Sequence, residues 1–183
     1  MRPSVNHAVL KYIGINGFEQ AILYHVVEEL ERHGYDVEYE IDEYDDELYD
    51  LKFSIENVRV RVAVDYINEF IKLDTVANVH GISNGFQKSF YNDFPSLLEY
   101  RTHLLPLNLG AMKLLHIENV IDLRSDVLNN IDQTVIQFTG LIDIISSVLS
   151  QKSVHLEFLS SDIDDWLEAL PLSPSNLSEG GVA

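Results

Sequence analysis

The stretch IDQTVIQFTGLIDIISSVL, Ile131 to Leu149, decides how this chain is read. Ile131, Val135, Phe138, Ile142, Ile145 and Leu149 recur at alternating steps of four and three, which is one stripe of an α-helix. Ile136, Leu141, Ile144 and Val148 widen that stripe well beyond a coiled-coil seam. The width predicts a helix packed across the broad face of a sheet or into a subunit contact. The stretch carries no catalytic chemistry.

The sheet this helix needs lies upstream. From Tyr35 the apolar period falls to two: Val37, Tyr39 and Ile41 alternate with Asp36, Glu38, Glu40 and Asp42, predicting a half-buried strand with an acidic outer side. After the charged connection Glu43-Tyr44-Asp45-Asp46-Glu47, the residues Tyr49, Leu51, Phe53 and Ile55 alternate with Asp50, Lys52 and Ser54. Beyond Glu56-Asn57 the pattern resumes with Val58, Val60, Val62 and Val64, so two strands joined by a tight turn are expected. A further short strand from about Glu69 to Thr75 completes an antiparallel meander.

Ahead of the sheet, Asn16-Gly17-Phe18-Glu19 has the spacing of a reciprocal helix cap. Phe18, Ile22, Val26 and Leu30 then mark a buried face, Glu28, Glu29, Glu31 and Arg32 a solvated one, and Gly34 a stop. His33 fits as a cation at the helix C-terminus. In the middle, Ser83-Asn84-Gly85 opens a helix over Phe86, Phe90 and Phe94 that Pro95 closes, and Leu97 to Leu105 reads equally as strand or helix. Met112 to Arg124 reads as a hairpin, because Ile117-Glu118-Asn119-Val120 repeats the turn Ile55-Glu56-Asn57-Val58. Asn129-Asn130 with Asp132 starts the long helix, and Val154, Leu156 and Phe158 predict a last strand.

The chain then changes character. Ser160-Ser161-Asp162 caps a short amphipathic helix with Ile163, Trp166, Leu167 and Leu170 on one side and Asp164, Asp165 and Glu168 on the other. Pro171 stops it, and the Pro-, Ser- and Gly-rich residues 172–183 have the composition of a disordered tail. The expected organisation is an N-terminal segment 1–16, one α+β domain 17–159, the acidic helix 160–171 and the tail 172–183.

Composition narrows the function. With 183 residues, 46% of them hydrophobic, the chain can bury one sizeable core. A net charge of -18 argues against nucleic acid or an anionic membrane as partner. The absence of cysteine removes disulfides, thiolate metal sites and thiol nucleophiles, a pattern suited to a cytoplasmic protein. Ala8 to Ile15 is interrupted by Lys11 and Gly14, unlike a signal-peptide core or a membrane span.

The candidate chemistry is thin. The run Glu38, Glu40, Asp42, Glu43, Asp45, Asp46, Glu47 and Asp50 lacks the glycine of a calcium loop and reads as a solvated strand edge or an acidic contact surface. His7, His25, His33, His80, His103, His116 and His155 are scattered, with no pair spaced to bind metal from one helix turn. Gly81-Ile82-Ser83-Asn84-Gly85 is neither a phosphate loop nor a dinucleotide fingerprint, and no nucleophile elbow occurs. No metal or cofactor is expected. The strongest binding candidates are Ile163, Trp166, Leu167 and Leu170, with Glu38, Glu40 and Asp42 as an acidic face. The same terminal helix reads equally as a clasp folded back on its own domain.

The helix Phe18–His33, the strands Asp36–Ile41, Tyr49–Ile55 and Val58–Tyr66, the helix Asn84–Phe94, the hairpin Met112–Arg124 and the helix Ile131–Leu149 resemble the α-β-β-β-α-β-β-α order of the class I type III secretion chaperones and the related YbjN family. Val120-Ile121-Asp122-Leu123-Arg124-Ser125-Asp126 followed by one long apolar helix is the particular likeness. The resemblance spans roughly residues 17–150. It implies an α+β fold with an antiparallel sheet flanked by helices, and a non-enzymatic homodimer whose apolar grooves hold extended segments of another polypeptide. Beside that chaperone or adaptor reading stand an immunity or inhibitor protein that neutralises a basic partner such as a nuclease, and a small metal-dependent hydrolase.

Overall fold

Strand β4, Phe70–His80, is the axis of the molecule. The computed structural model describes residues 15–41, 48–65, 67–82, 89–105, 113–123 and 130–159. In chain order these form α1 (Ile15–Arg32), β1 (Asp36–Ile41), β2 (Leu48–Ile55), β3 (Val58–Asp65), β4, the single turn α2 (Phe90–Asp93), a 3-10 helix (Pro95–Glu99), β5 (Thr102–Leu104), β6 (Leu114–Asp122), α3 (Ile131–Ser150) and β7 (His155–Phe158). The strands make one open antiparallel sheet in the order β1-β2-β3-β4-β6-β5, with β7 also on β4. The fold is therefore α+β with an antiparallel sheet flanked by helices. The predicted terminal helix 160–171, with Ile163, Trp166, Leu167 and Leu170, lies outside the described residues.

Three strands share β4. Strand β6 runs along one edge from Phe70 to Asn78. On the other edge β3 covers Phe70 to Asp74 and β7 covers Ala77 to His80. Where β3 gives way to β7, the Thr75 hydroxyl donates to the Arg59 carbonyl at 2.7 Å and the Leu159 amide donates to the Val76 carbonyl at 3.1 Å. Both main-chain groups at the gap are thereby satisfied, as burial demands. The sequence pattern carries this strand only to Thr75, because the polar residue Asn78 interrupts the apolar run beyond it.

One face of the sheet is apolar. Leu51, Phe53, Val60, Val62, Ile71, Leu73, Leu115 and Ile117 point to it, and Ile22, Val26 and Leu30 of α1 and Ile131, Val135, Phe138, Ile142, Ile145 and Leu149 of α3 close it. These are the helix positions the periodicity selects, and each is buried. The wider stripe of α3 is not covered throughout: Ile136 and Ile144 are 53% and 47% exposed. Helix α3 is long and apolar enough to cross a membrane on length and composition, but its buried stripe serves the domain core. Tyr35 ties the sheet to this helix by donating its hydroxyl to Asp132 at 2.9 Å. Burial and that carboxylate push the Tyr35 phenol up to about 12.

Several expectations are corrected. The residues 114–122 form one unbroken strand, so Ile117-Glu118-Asn119-Val120 is no turn: each of these residues faces one of β4. Ile55-Glu56-Asn57-Val58 does turn, with Glu56 at φ 52. Pro95 opens a 3-10 helix rather than merely ending α2, and Leu97 to Leu105 is divided between that helix and β5. Helix α1 begins at Ile15, so Asn16 lies inside its first turn. Glu29 is not solvated but buried, paired with Arg32. Gly34, at φ 85, ends α1 as expected.

Two measurements check this architecture. Glu56→Gly, in a left-handed position, should leave the unfolding free energy unchanged or raise it by up to about 1 kcal/mol, whereas Glu118→Gly in mid-strand should lower it by about 1 kcal/mol or more in urea titrations. Gly81 has φ 90, and a Cβ there would strike the Ser153 carbonyl in the turn before β7. Gly81→Ala should thus cost more than about 1 kcal/mol.

Candidate functional site

The second face of the sheet carries the polar side chains, and no helix lies over it among the described residues. Register places Glu38 of β1, Lys52 of β2, Arg61 of β3, Asp74 of β4 and Glu118 of β6 side by side in one cross-strand row. Arg101 follows at the β5 end, its carbonyl accepting from the Glu118 amide at 3.0 Å. In a chain with 12 lysines and arginines, Lys52, Arg59, Arg61, Lys72 and Arg101 all project from this face or its rim. Opposite charges on facing strands stabilise a sheet, and here they link strands far apart in sequence.

Asp74 is the centre of the row and only 3% exposed. Arg61 donates to it twice, from Nε at 3.0 Å and Nη2 at 2.9 Å. Lys72 Nζ lies at 3.2 Å and His116 Nε2 at 3.4 Å from the same Asp74 oxygen. The His116 approach is not a hydrogen bond, and that buried nitrogen has no hydrogen-bond partner. Burial pushes the Asp74 carboxyl up, but the His116 and Arg61 contacts outweigh it and hold the group well below the usual carboxylate range. Such a carboxylate takes no proton near neutrality, and its lone pairs are engaged. It suits a lock between strands better than an acid or base.

Next to it, Glu118 receives Lys72 and Arg101 at 3.8 Å and His103 at 3.6 Å. His103 and His116, thirteen residues apart in the chain, face each other across β5 and β6 with ring centroids 6.0 Å apart. Their spacing on the sequence shows no metal pattern, and the register alone pairs them. Among the described residues, no group of three or more histidines and carboxylates is placed to hold a metal ion.

The predicted acidic face divides. Glu38 is exposed but not free: Arg59 donates both terminal nitrogens to its carboxylate, one at 2.8 Å, and this hydrogen bonding lowers the Glu38 carboxyl. Glu40 stands exposed opposite Asp50. Asp42 lies outside the described residues, as do Ile163, Trp166, Leu167 and Leu170. Pattern reading missed Asp74, Arg61 and His116, for which the only signal was charge at positions of otherwise apolar strands.

The two sheet edges differ. Among the described residues nothing pairs with the outer side of β1. Its Tyr39 and Ile41, on the helix side, are 44% and 41% exposed, beyond the reach of the helix layer. Its Glu38 and Glu40 point to the polar face, and its register shifts between Glu40 and Ile41. At the opposite end, the short β5 borders an open groove of about 480 Å³ lined by Tyr91, Leu97, Leu98, Tyr100, His103 and Leu104. Among the described residues its lining has one histidine and no carboxylate. No family model, curated protein or solved structure matches the chain.

The Asp74 lock has a pH signature. Because its folded pKa is depressed, its stabilisation is fully present above the unfolded value of about 3.9 and is lost as pH falls towards the folded one. Asp74→Asn should cost roughly 1–3 kcal/mol at pH 7, and its stability should fall less than that of the unaltered protein between pH 5 and pH 2, measured by denaturant titration at each pH.

Proposed function

We propose that this protein is a non-enzymatic binding module that holds an extended segment of another polypeptide along the edge of β1, in the manner of a secretion chaperone or adaptor in the cytoplasm. The carrying observation is the β1 edge, unpaired among the described residues, with exposed Tyr39 and Ile41 on one side and Glu38 and Glu40 on the other. An open edge offers main-chain donors and acceptors to an added strand, and alternate side chains then select its sequence. Apolar residues of the incoming segment meet Tyr39 and Ile41, and basic ones meet the acids. The same acids discourage pairing between two β1 edges of like charge.

The homodimer is proposed through α3. In a chain of net charge -18, two copies repel over most of their surface. The outer side of α3 is less charged, where Gln133, Ile136, Gln137, Gly140, Ile144 and Ser147 are uncharged, Asp143 is the one exposed acid among them, and Ile136 and Ile144 stand exposed. An inhibitor of one folded basic protein is the second reading, favoured by the acids of β1, and differs in needing a folded partner rather than an extended one.

A peptide alternating valine and lysine is the probe. It should bind with an affinity that falls as salt rises, slow hydrogen exchange of the β1 amides, and lose roughly tenfold in affinity, about 1.4 kcal/mol, for each of Tyr39→Ser and Ile41→Ser. Binding that leaves β1 exchange unchanged overturns the edge reading. Ile136→Lys with Ile144→Lys should halve the mass seen by light scattering, and an unaltered protein that is monomeric at all concentrations overturns the dimer.

A further inference from the structure

The two ends of the sheet are matched to each other. Neighbouring strands along the path β1-β2-β3-β4-β6-β5 are all antiparallel, and the path holds six strands, so its first and last run in opposite directions. A second copy laid alongside without turning over therefore sets its β1 antiparallel to the β5 of the first, polar face beside polar face. Their helix layers then share one side. Tyr100-Arg101-Thr102-His103-Leu104 alternates apolar or small with basic, the pattern the β1 edge is suited to take. Register sets Thr102 and Leu104 opposite the core residues Ile117 and Leu115, which leaves Arg101 and His103 on the polar face.

Unlike charges meet on one side of that junction. Arg101 and His103 are exposed, and the carboxylate beside them, Glu118, is shared with Lys72 at 3.6–3.8 Å, beyond hydrogen-bond reach, so this end carries excess positive charge. The β1 end carries the reverse, with Asp36, Glu38, Glu40 and Asp50 against Lys52 and Arg59. On the helix side, exposed Tyr39 and Ile41 meet the groove at β5, where Leu98, Tyr100 and Leu104 line the wall and the adjacent acid Glu99 does not. Main-chain pairing adds less. Thr102 already donates its amide to the Tyr100 carbonyl at 3.0 Å and accepts the Tyr91 hydroxyl at 2.6 Å, which leaves Leu104 to offer its outward groups among the described residues. We infer that the β5 end of one copy docks on the β1 edge of another, Arg101 and His103 against the acids and the Leu98 groove against Tyr39 and Ile41. This rests on the reading of β1 as an edge open to an added strand, and it gives that edge a competitor of the chain's own making. The contact joins unlike surfaces, so it builds open chains of copies rather than closed pairs. A small contact between acidic proteins is weak.

Sedimentation of the full-length protein carrying Ile136→Lys and Ile144→Lys tests this junction without the α3 contact. The average mass should rise steadily from one chain to more than two as concentration passes roughly 0.1 mM. Arg101→Glu with His103→Glu should weaken the association at least about tenfold, and so should Asp36→Lys with Glu40→Lys, with the far-UV circular dichroism retained in both. An equimolar mixture of the two variants should associate again, since the acidic β5 of one meets the basic β1 of the other. The peptide alternating valine and lysine should disperse the chains by taking the same edge. No growth in mass up to about 1 mM, or growth indifferent to both charge variants, overturns the inference. A peptide that slows β1 exchange without dispersing the chains also overturns it and leaves the edge reading standing. Chains that obey the charge variants while the peptide fails to bind sustain the junction and remove the reading of β1 as an edge for external segments.

Discussion

The pairing of β4 with three other strands is the constraint on which the molecule rests. A strand of 11 residues is longer than any of its neighbours, so one edge receives β6 and the other is divided between β3 and β7. This division brings the last described strand into the middle of the sheet. It also fixes which residues become neighbours: Asp74 meets Arg61 from the preceding strand and His116 from a strand more than forty residues later. Alternation along β4 then sends Ile71, Leu73 and Ala77 to the helices and Asp74, Val76 and Asn78 away from them.

The two faces serve different ends. The helix side is apolar and filled, and α1 and α3 supply the side chains that close it. The other side holds charges that would be costly if buried alone, and the cross-strand row resolves this by pairing its carboxylates with cations of the same face. Asp74 is the extreme case, because a carboxylate so inaccessible stays ionised only with Arg61, Lys72 and His116 around it. The net negative charge of the chain therefore hides a local arrangement in which cations concentrate on one face. The acids of β1 lie at the rim of that face, where Glu38 is already committed to Arg59. What the β1 edge presents outward is main chain, Tyr39, Ile41 and Glu40.

Much of the fold is legible in the sequence because its signals are local. The stripe of α3, the alternation of β2 and β3, the turn at Glu56 and the stop at Gly34 each depend on residues within a few positions of one another. Exposure is less legible. Tyr39 and Ile41 have the pattern of buried strand residues, but the helix layer ends before it reaches the edge strand. The polar row is not legible at all, since its members come from separate strands and only the register aligns them.

The tetrapeptides Ile55-Glu56-Asn57-Val58 and Ile117-Glu118-Asn119-Val120 mark the boundary between what sequence and tertiary structure decide. Their residues are the same, and the local signals are those of a turn in both. In the first, the chain reverses, Glu56 takes φ 52, and Ile55 pairs with Val58. In the second, the backbone stays extended, because β4 offers a main-chain partner to every residue from Leu114 to Asp122. Local chemistry by itself determined the α+β class, the core stripe of α3 and the acidic surface. Only the long free edge of β4 decided that the second copy of the turn became a strand, since hydrogen bonds along a whole edge outweigh the weak preference of four residues.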